Sequence, residues 1–273
     1  MKSNLQPKKT FEKAKLKNLT GIVPVLGSLS NLTNLKHTIA QAHSLNVRII
    51  VVVDTNGTEI SSNLKSLIST HRYSKQIIIG DFGGPGEARN AGLKHVETKY
   101  VAFWDADDLV KIENILKEIN SIQEDFKFLV GNYSIVNSKT GRKTVVKSKK
   151  YLWKIQLILK PGLWRIVFAT EFVKQHTFGT TKMGEDQVFL SKSEIFTSKN
   201  TTLSKLEFYD YHLNLSNQLT NQKNRFTHLN QSINEIITVY KIKPADQKKY
   251  IFLIIAKLKF TLYKNSLRLG KNQ

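Results

Sequence analysis

The sequence of 273 residues has no cysteine, only five prolines and two methionines, and half as many acids (21) as lysines and arginines (42). Without cysteine there is no disulfide framework, no thiolate zinc site and no cysteine nucleophile. No uncharged apolar run approaches the roughly 18 to 20 residues that span a bilayer. The opening Met1-Lys2-Ser3-Asn4-Leu5-Gln6-Pro7-Lys8-Lys9 lacks the apolar segment that a secretory signal carries after its lysines. These absences lead us to expect a cytoplasmic chain that is not integral to a membrane.

Apolar material is plentiful: 40% of residues are hydrophobic and 10% aromatic, enough for a core, so the formal charge of +21 is not that of a disordered tail. Its position is more informative than its size. Residues 1–20 carry +5, residues 139–165 carry +9 with no acid, and residues 241–273 carry +8, which leaves −1 on everything else. A nucleic-acid binder held by a general basic field would not have a neutral body. No nucleic-acid partner is expected, the alternative being a non-catalytic protein that binds nucleic acid through the basic segments alone.

From residue 21 the chain alternates short apolar runs with helical patterns. Gly21 to Gly27, Val47 to Val53, Gln76 to Gly80 and Tyr100 to Trp104 read as strands, with helices opening at Ser30, Asn63 and Glu87 between them. Such alternation argues for a mostly parallel sheet covered on both faces, with ligands beyond the carboxyl ends of its strands. After residue 110 we read a helix over 111–122, a strand over 126–130, a helix over 168–176, another starting near Glu185, and two more over 221–240 and 245–269.

Four groups of residues can carry chemistry. Tyr100-Val-Ala-Phe-Trp-Asp105-Ala-Asp107-Asp108 ends a strand on three carboxylates, which repel unless a cation such as Mg²⁺ or Mn²⁺ neutralises them, though they also suit a helix N-terminus. Gly83-Gly-Pro-Gly86-Glu-Ala-Arg89 opens a helix with amides and an arginine that can hold a phosphate, or is simply a tight turn. Asp54 ends the second strand, where it can meet a base or ribose or can form a turn. Gly184-Glu185-Asp186 offers a general base whose neighbour Glu185 raises its proton affinity, or a surface helix start.

In order and spacing these groups resemble the nucleotide-sugar glycosyltransferases of family 2, over roughly residues 20–215. The resemblance rests on the strand ending at Asp54, on Gly86-Glu-Ala-Arg-Asn-Ala-Gly92, on Asp105-Ala-Asp107-Asp108 and on Gly184-Glu185-Asp186. It implies a GT-A type fold, a Rossmann-like mixed α/β sheet flanked by helices. The basic segment 1–20 would precede a catalytic domain over 21–215, and a basic amphipathic helical extension would follow over 216–273. It also implies an inverting, metal-dependent transfer from a nucleotide sugar, most simply a UDP-sugar, to a glycan or lipid-linked acceptor, with Mn²⁺ or Mg²⁺ as cofactor. By position, Asp54 would contact the base, Arg89 the nucleotide, Asp105 the ribose or metal and Asp107 the metal, while Asp186 would deprotonate the acceptor beside Glu185. His212, in Tyr209-Asp-Tyr-His212, would touch metal or phosphate or be a structural histidine. Trp164 and Arg165 would line the acceptor side, or form a core tryptophan with an exposed arginine.

The chain departs from the family in having Asp54-Thr55 where an acidic pair is usual, and it lacks the Gln-x-x-Arg-Trp signature of processive synthases. A non-processive enzyme is therefore expected. A phosphohydrolase of the haloacid dehalogenase type would share Phe103-Trp-Asp105-Ala-Asp107 but would normally carry it on its first strand. A nucleotidyltransferase would need a basic glycine loop where Leu26-Gly27-Ser28 stands. Finally, Ile251, Ile254, Ile255, Leu258 and Leu262 form one stripe of the last helix, with lysines off it. That stripe can lie on an anionic membrane surface, peripherally at the inner face of the cell membrane, or pack on the catalytic domain.

Overall fold

A computed structural model describes residues 18–70, 75–213 and 225–269. Most of the basic N-terminal segment, Gly270 and the Arg268 side chain lie outside the described residues. The first half follows the expected alternation: β1 (Leu19–Leu26), α1 (Thr33–Ser44), β2 (Arg48–Asp54), α2 (Ser62–Ser69), β3 (Gln76–Gly80), α3 (Pro85–Leu93) and β4 (Tyr100–Phe103). Strands β1 to β4 are mutually parallel in the order β3-β2-β1-β4. β2 is apolar on both faces because helices cover both: Ile50 and Val52 join one core cluster, and Ile49, Val51 and Val53 the other.

Beyond β4 the sheet becomes mixed. The two-residue β5 (Leu109–Val110) and α4 (Ile112–Ser121) precede the long β6 (Phe128–Asn137) and its hairpin partner β7 (Lys143–Val146). Next come α5 (Trp153–Leu159), a 3-10 turn (Leu163–Arg165), β8 (Ile166–Ala169), α6 (Thr170–Val173), α7 (Glu185–Lys192) and β9 (Thr201–Leu213). β8 enters antiparallel between β4 and β6, so Phe168 and Ala169 end a strand where a helix was expected, and only Thr170–Val173 is helical. The mostly parallel sheet read from the alternation is corrected to a mixed one, because β8 closes the edge of β4 with opposite polarity. β9 runs parallel to β6 and antiparallel to β5, which carries its far end to the acidic loop after β4.

The chain ends in α8 (Arg225–Ile242) and α9 (Ala245–Leu269). Ile251, Ile254 and Leu258 are buried in the same cluster as Phe103, Phe128, Phe168 and Phe189, with Ile255 and Leu262 packed against it. Of the two placements open for this stripe, the inward one is observed. Each such side chain contributes about 1.5–3 kcal/mol by leaving water. Among the described residues no helix is long and apolar enough to cross a membrane.

Phe189 on α7 couples helix and sheet: it stacks on Phe178 at 4.4 Å and meets Phe168 edge-on at 5.7 Å. Phe189→Ala should lower the unfolding free energy by about 3–5 kcal/mol through the cavity it leaves. Urea titration would check this; a loss below about 1 kcal/mol would show that the cluster is not a keystone of the core.

Candidate active site

Because β1, β2 and β4 are parallel, their carboxyl ends share one edge of the sheet, and that edge holds the acidic groups. Asp54, the last residue of β2, is buried, and its Oδ1 accepts the backbone N–H groups of Asn56 at 3.1 Å and Phe82 at 2.9 Å. It thus ties the loop after β2 to the loop after β3. The acidic loop after β4 is held from both sides. Trp104 N–H donates to Ile22 C=O at 2.9 Å, and Asp105 N–H donates to the Tyr209 hydroxyl at 2.9 Å. From α1, Asn34 Nδ2 donates to Asp107 C=O at 2.6 Å, and Gln41 Oε1 accepts Ile112 N–H at 2.9 Å. Asp108 is fully buried and accepts the His212 N–H at 2.7 Å.

The centre of the site is Arg89. Its Nη2 donates to Asp105 Oδ1 at 2.8 Å, while Nη1 donates to Glu185 Oε1 at 3.0 Å and Asp186 Oδ1 at 3.1 Å. The guanidinium is buried and lies 5.5 Å from the centre of the Phe178 ring. Two glycines make the approach possible. A Cβ on Gly86 would stand 2.4 Å from Gly179 C=O, so only glycine lets α3 come this close to the segment leading into α7. Gly184, at φ +86°, turns the chain into α7 beside Ser232 of α8, whose hydroxyl donates to Met183 C=O at 2.7 Å.

Charge in the site is unevenly compensated. Burial works against the charged form of Arg89, but Asp186, Asp105 and Glu185 outweigh it and hold the guanidinium firmly protonated. Burial raises the proton affinity of Asp186 well above the ordinary carboxylate value; Arg89 opposes this, and Glu185 and Asp105 add to it. Glu185 is raised likewise, chiefly by burial. In the loop after β4, burial and the charges of Asp108 and Asp105 push the Asp107 carboxyl up to about 7. Burial takes Asp108 to about 6 against the His212 hydrogen bond. His212 in turn is raised by Asp108.

Several expected assignments change. Arg89, expected to meet the nucleotide, has both terminal nitrogens on carboxylates, because three acids from two distant segments converge on it. Trp164 is buried, stacked at 4.4 Å on Tyr209 and 5.5 Å from Tyr211, with Tyr133 against its edge. Its faces are therefore not open to a sugar. Arg165, expected at the surface, is 1% exposed and lies 5.0 Å from the Tyr133 ring centre. Both follow from the 3-10 turn being drawn under β6 and β9. Among the described residues no three His, Asp or Glu side chains gather as a ready-made metal site. Of the residues expected to meet the metal, Asp105 Oδ1 accepts from Arg89 and His212 stands against Asp108.

Sequence reasoning missed Asn34, Gln41 and Tyr209, which hold the acidic loop. The spacing of Asn34 and Gln41, seven residues apart on one face of α1, was a readable signal; the partner of Tyr209 was not.

The family described as Glycosyl transferase family 2 matches residues 21–183. Glycosyltransferase GlyA of Streptococcus pneumoniae is 24% identical over 71% of this chain and 30% of its own length. A poly(ribitol-phosphate) beta-glucosyltransferase of Bacillus spizizenii is 25% identical over 59% of this chain and 26% of its own. The chain thus spans less than a third of the length of these two relatives. Among solved structures, S. aureus TarS 1-349 in complex with UDP-GlcNAc superposes with a TM-score of 0.67 at 18% identity, over 88% of this chain and 72% of that one. The mannosyltransferase PcManGT of Pyrobaculum calidifontis, in complex with GDP-Man and Mn²⁺, gives 0.60 at 14% identity, over 94% and 75%. With the family match running from β1 to the turn before α7, over more than half of its length, the chain belongs to glycosyl transferase family 2 and has the GT-A fold.

Proposed function

We propose that this chain transfers one sugar at a time, with inversion, from a nucleotide-sugar donor to a hydroxyl of a bacterial surface glycan. The observation that carries this reading is the single guanidinium of Arg89 joining Asp105, after β4, to Glu185 and Asp186 at the start of α7. It sets a donor-side carboxylate against a basic carboxylate on the acceptor side. In this reading Asp186, one-fifth exposed, takes the proton of the attacking hydroxyl. Arg89 and Glu185 position it. Asp54 is left with Oδ2 for a base, since Oδ1 holds two amides.

Asp105 and Asp107 suit a divalent cation: their oxygens are hard donors, and burial, together with the neighbouring charges of Asp108 and Asp105, raises the proton affinity of Asp107. Mn²⁺ or Mg²⁺ held there, completed by the donor diphosphate, would stabilise the departing nucleoside diphosphate. A UDP-sugar donor is favoured by the UDP-GlcNAc complex of TarS, and a polyanionic, teichoic-acid type acceptor by the poly(ribitol-phosphate) relative. Lys139 and Arg142, exposed on the hairpin of β6 and β7, suit such an acceptor. A cytoplasmic place at the inner face of the membrane would bring together a nucleotide donor and a lipid-linked glycan.

Asp186→Asn should keep the thermal shift given by a UDP-sugar with Mn²⁺ and lose about 10²–10⁴-fold in transfer. Asp107→Ala should lose both the shift and turnover; full transfer by both variants would sink the assignment. Since a base acts deprotonated, the raised Asp186 predicts a rate that is full on the alkaline side and lost as pH falls through a value above about 4. An acid limb at or below that ordinary value would remove Asp186 from the role. Arg89→Met should cost about 3–5 kcal/mol at neutral pH, because buried Glu185 and the partly buried Asp105 and Asp186 lose their partner. The folded-state pKa values of Glu185 and Asp186, raised by burial and no longer opposed by Arg89, then lie above the unfolded ones, so the variant keeps stability at low pH and loses it as pH rises. Urea midpoints at pH 5 and pH 8 test this, and an equal loss at both would contradict it.

A further inference from the structure

Helix α9 is apolar on two opposite faces. The stripe of Ile251, Ile254 and Leu258 is buried, while Phe252 is 59% exposed, Phe260 64% exposed, and Leu253 and Ala256 face solvent with them. Residues 252, 253, 256 and 260 recur at i, i+1, i+4 and i+8, so they form one continuous outer stripe. An inner stripe alone would anchor the helix to the core; large aromatic groups on the far side serve no packing purpose there.

The neighbouring α5 repeats the pattern. Trp153, Leu157 and Ile158 face the cluster that holds Ile251 and Ile254, whereas Leu152, Ile155 and Leu159 are exposed, and Tyr151 before them is 86% exposed. The two helices lie side by side, with Lys154 Nζ 5.4 Å from the centre of the Tyr250 ring. Both therefore turn apolar residues outward from the same layer. An exposed apolar patch of this extent marks a contact surface.

Charge identifies what it contacts. Lys149, Lys150 and Lys160 are exposed around the outer residues of α5, and Lys249, Lys259 and Lys264 around those of α9, where the only acid is Asp246. The fold thus brings two of the three basic segments of the sequence to one surface. In a symmetric pairing of two copies this surface would meet itself and set lysine against lysine. Apolar side chains inserted among acyl chains, with lysines reaching headgroup phosphates, satisfy both features at once.

We propose that the outer faces of α5 and α9 form a docking surface for an anionic phospholipid bilayer. The helices lie in the plane of the headgroups, with their inner stripes on the catalytic core. The proposal stands on this surface and not on the sugar-transfer reading.

Co-sedimentation of the full chain with vesicles tests it without any donor present. The chain should pellet with phosphatidylglycerol/phosphatidylcholine vesicles, far less with phosphatidylcholine alone, and less as salt is raised. Phe252→Ser with Phe260→Ser, both at exposed positions, should leave the melting temperature unchanged and weaken vesicle affinity at least about tenfold. Lys259→Glu should weaken it by about fivefold or more. Equal pelleting on neutral and anionic vesicles, or an unchanged affinity in the double serine variant, would overturn the proposal. Sedimentation velocity without lipid gives a further outcome: self-association of the parent chain that the serine variant abolishes would assign the face to a second copy instead.

Discussion

Three carboxylates from opposite halves of the catalytic fold are held on one buried guanidinium, and most of the site depends on that contact. Without Arg89, Asp105, Glu185 and Asp186 would be like charges brought together in a poorly solvated place. With it, α3, the loop after β4 and the start of α7 become one unit. The close approach at Gly86 and the turn at Gly184 are the backbone conditions for this contact. The arginine thus fixes the positions of the three acids relative to one another.

The sheet explains why the acids are where they are. Parallel β1, β2 and β4 direct their carboxyl ends to one edge, and the antiparallel pairing of β5 with β9 brings Tyr209 and His212 to the same loop. Tyr209 accepts the Asp105 amide, and Asp108 accepts the amide of His212. Asp107 receives no comparable side-chain partner in the hydrogen bonds described, and burial, with the charges of Asp108 and Asp105 adding to it, raises its proton affinity. A cation shared with a diphosphate, as proposed, would relieve the charge that the fold concentrates there.

The positive charge has several uses once located in space. Lys111 and Lys143 are paired with Glu207 and Asp210 on β9, and so support the sheet. Arg165 is buried in the core. The exposed lysines around α5 and α9 have another setting, bordering exposed apolar residues.

Local periodicity and turn chemistry were sufficient to find β1 to β4, α3 and the final helix, and to place Asp54, Asp105 and Asp186 at or beside element ends and Arg89 on α3. Those features depend on neighbours in the chain, which a sequence displays directly. The amphipathic character of α9 was also legible, but the outward and core-facing stripes were not, because both are apolar and only the packed core distinguishes them. Likewise nothing near residue 164 shows that Trp164 would be covered by Tyr209 and Tyr211, since those tyrosines arrive on β9, whose pairing with β6 and β5 spans much of the chain. The same holds for Arg89: its charge and helix were written in the sequence, whereas its contacts with three carboxylates were decided by the tertiary approach of α3 to α7.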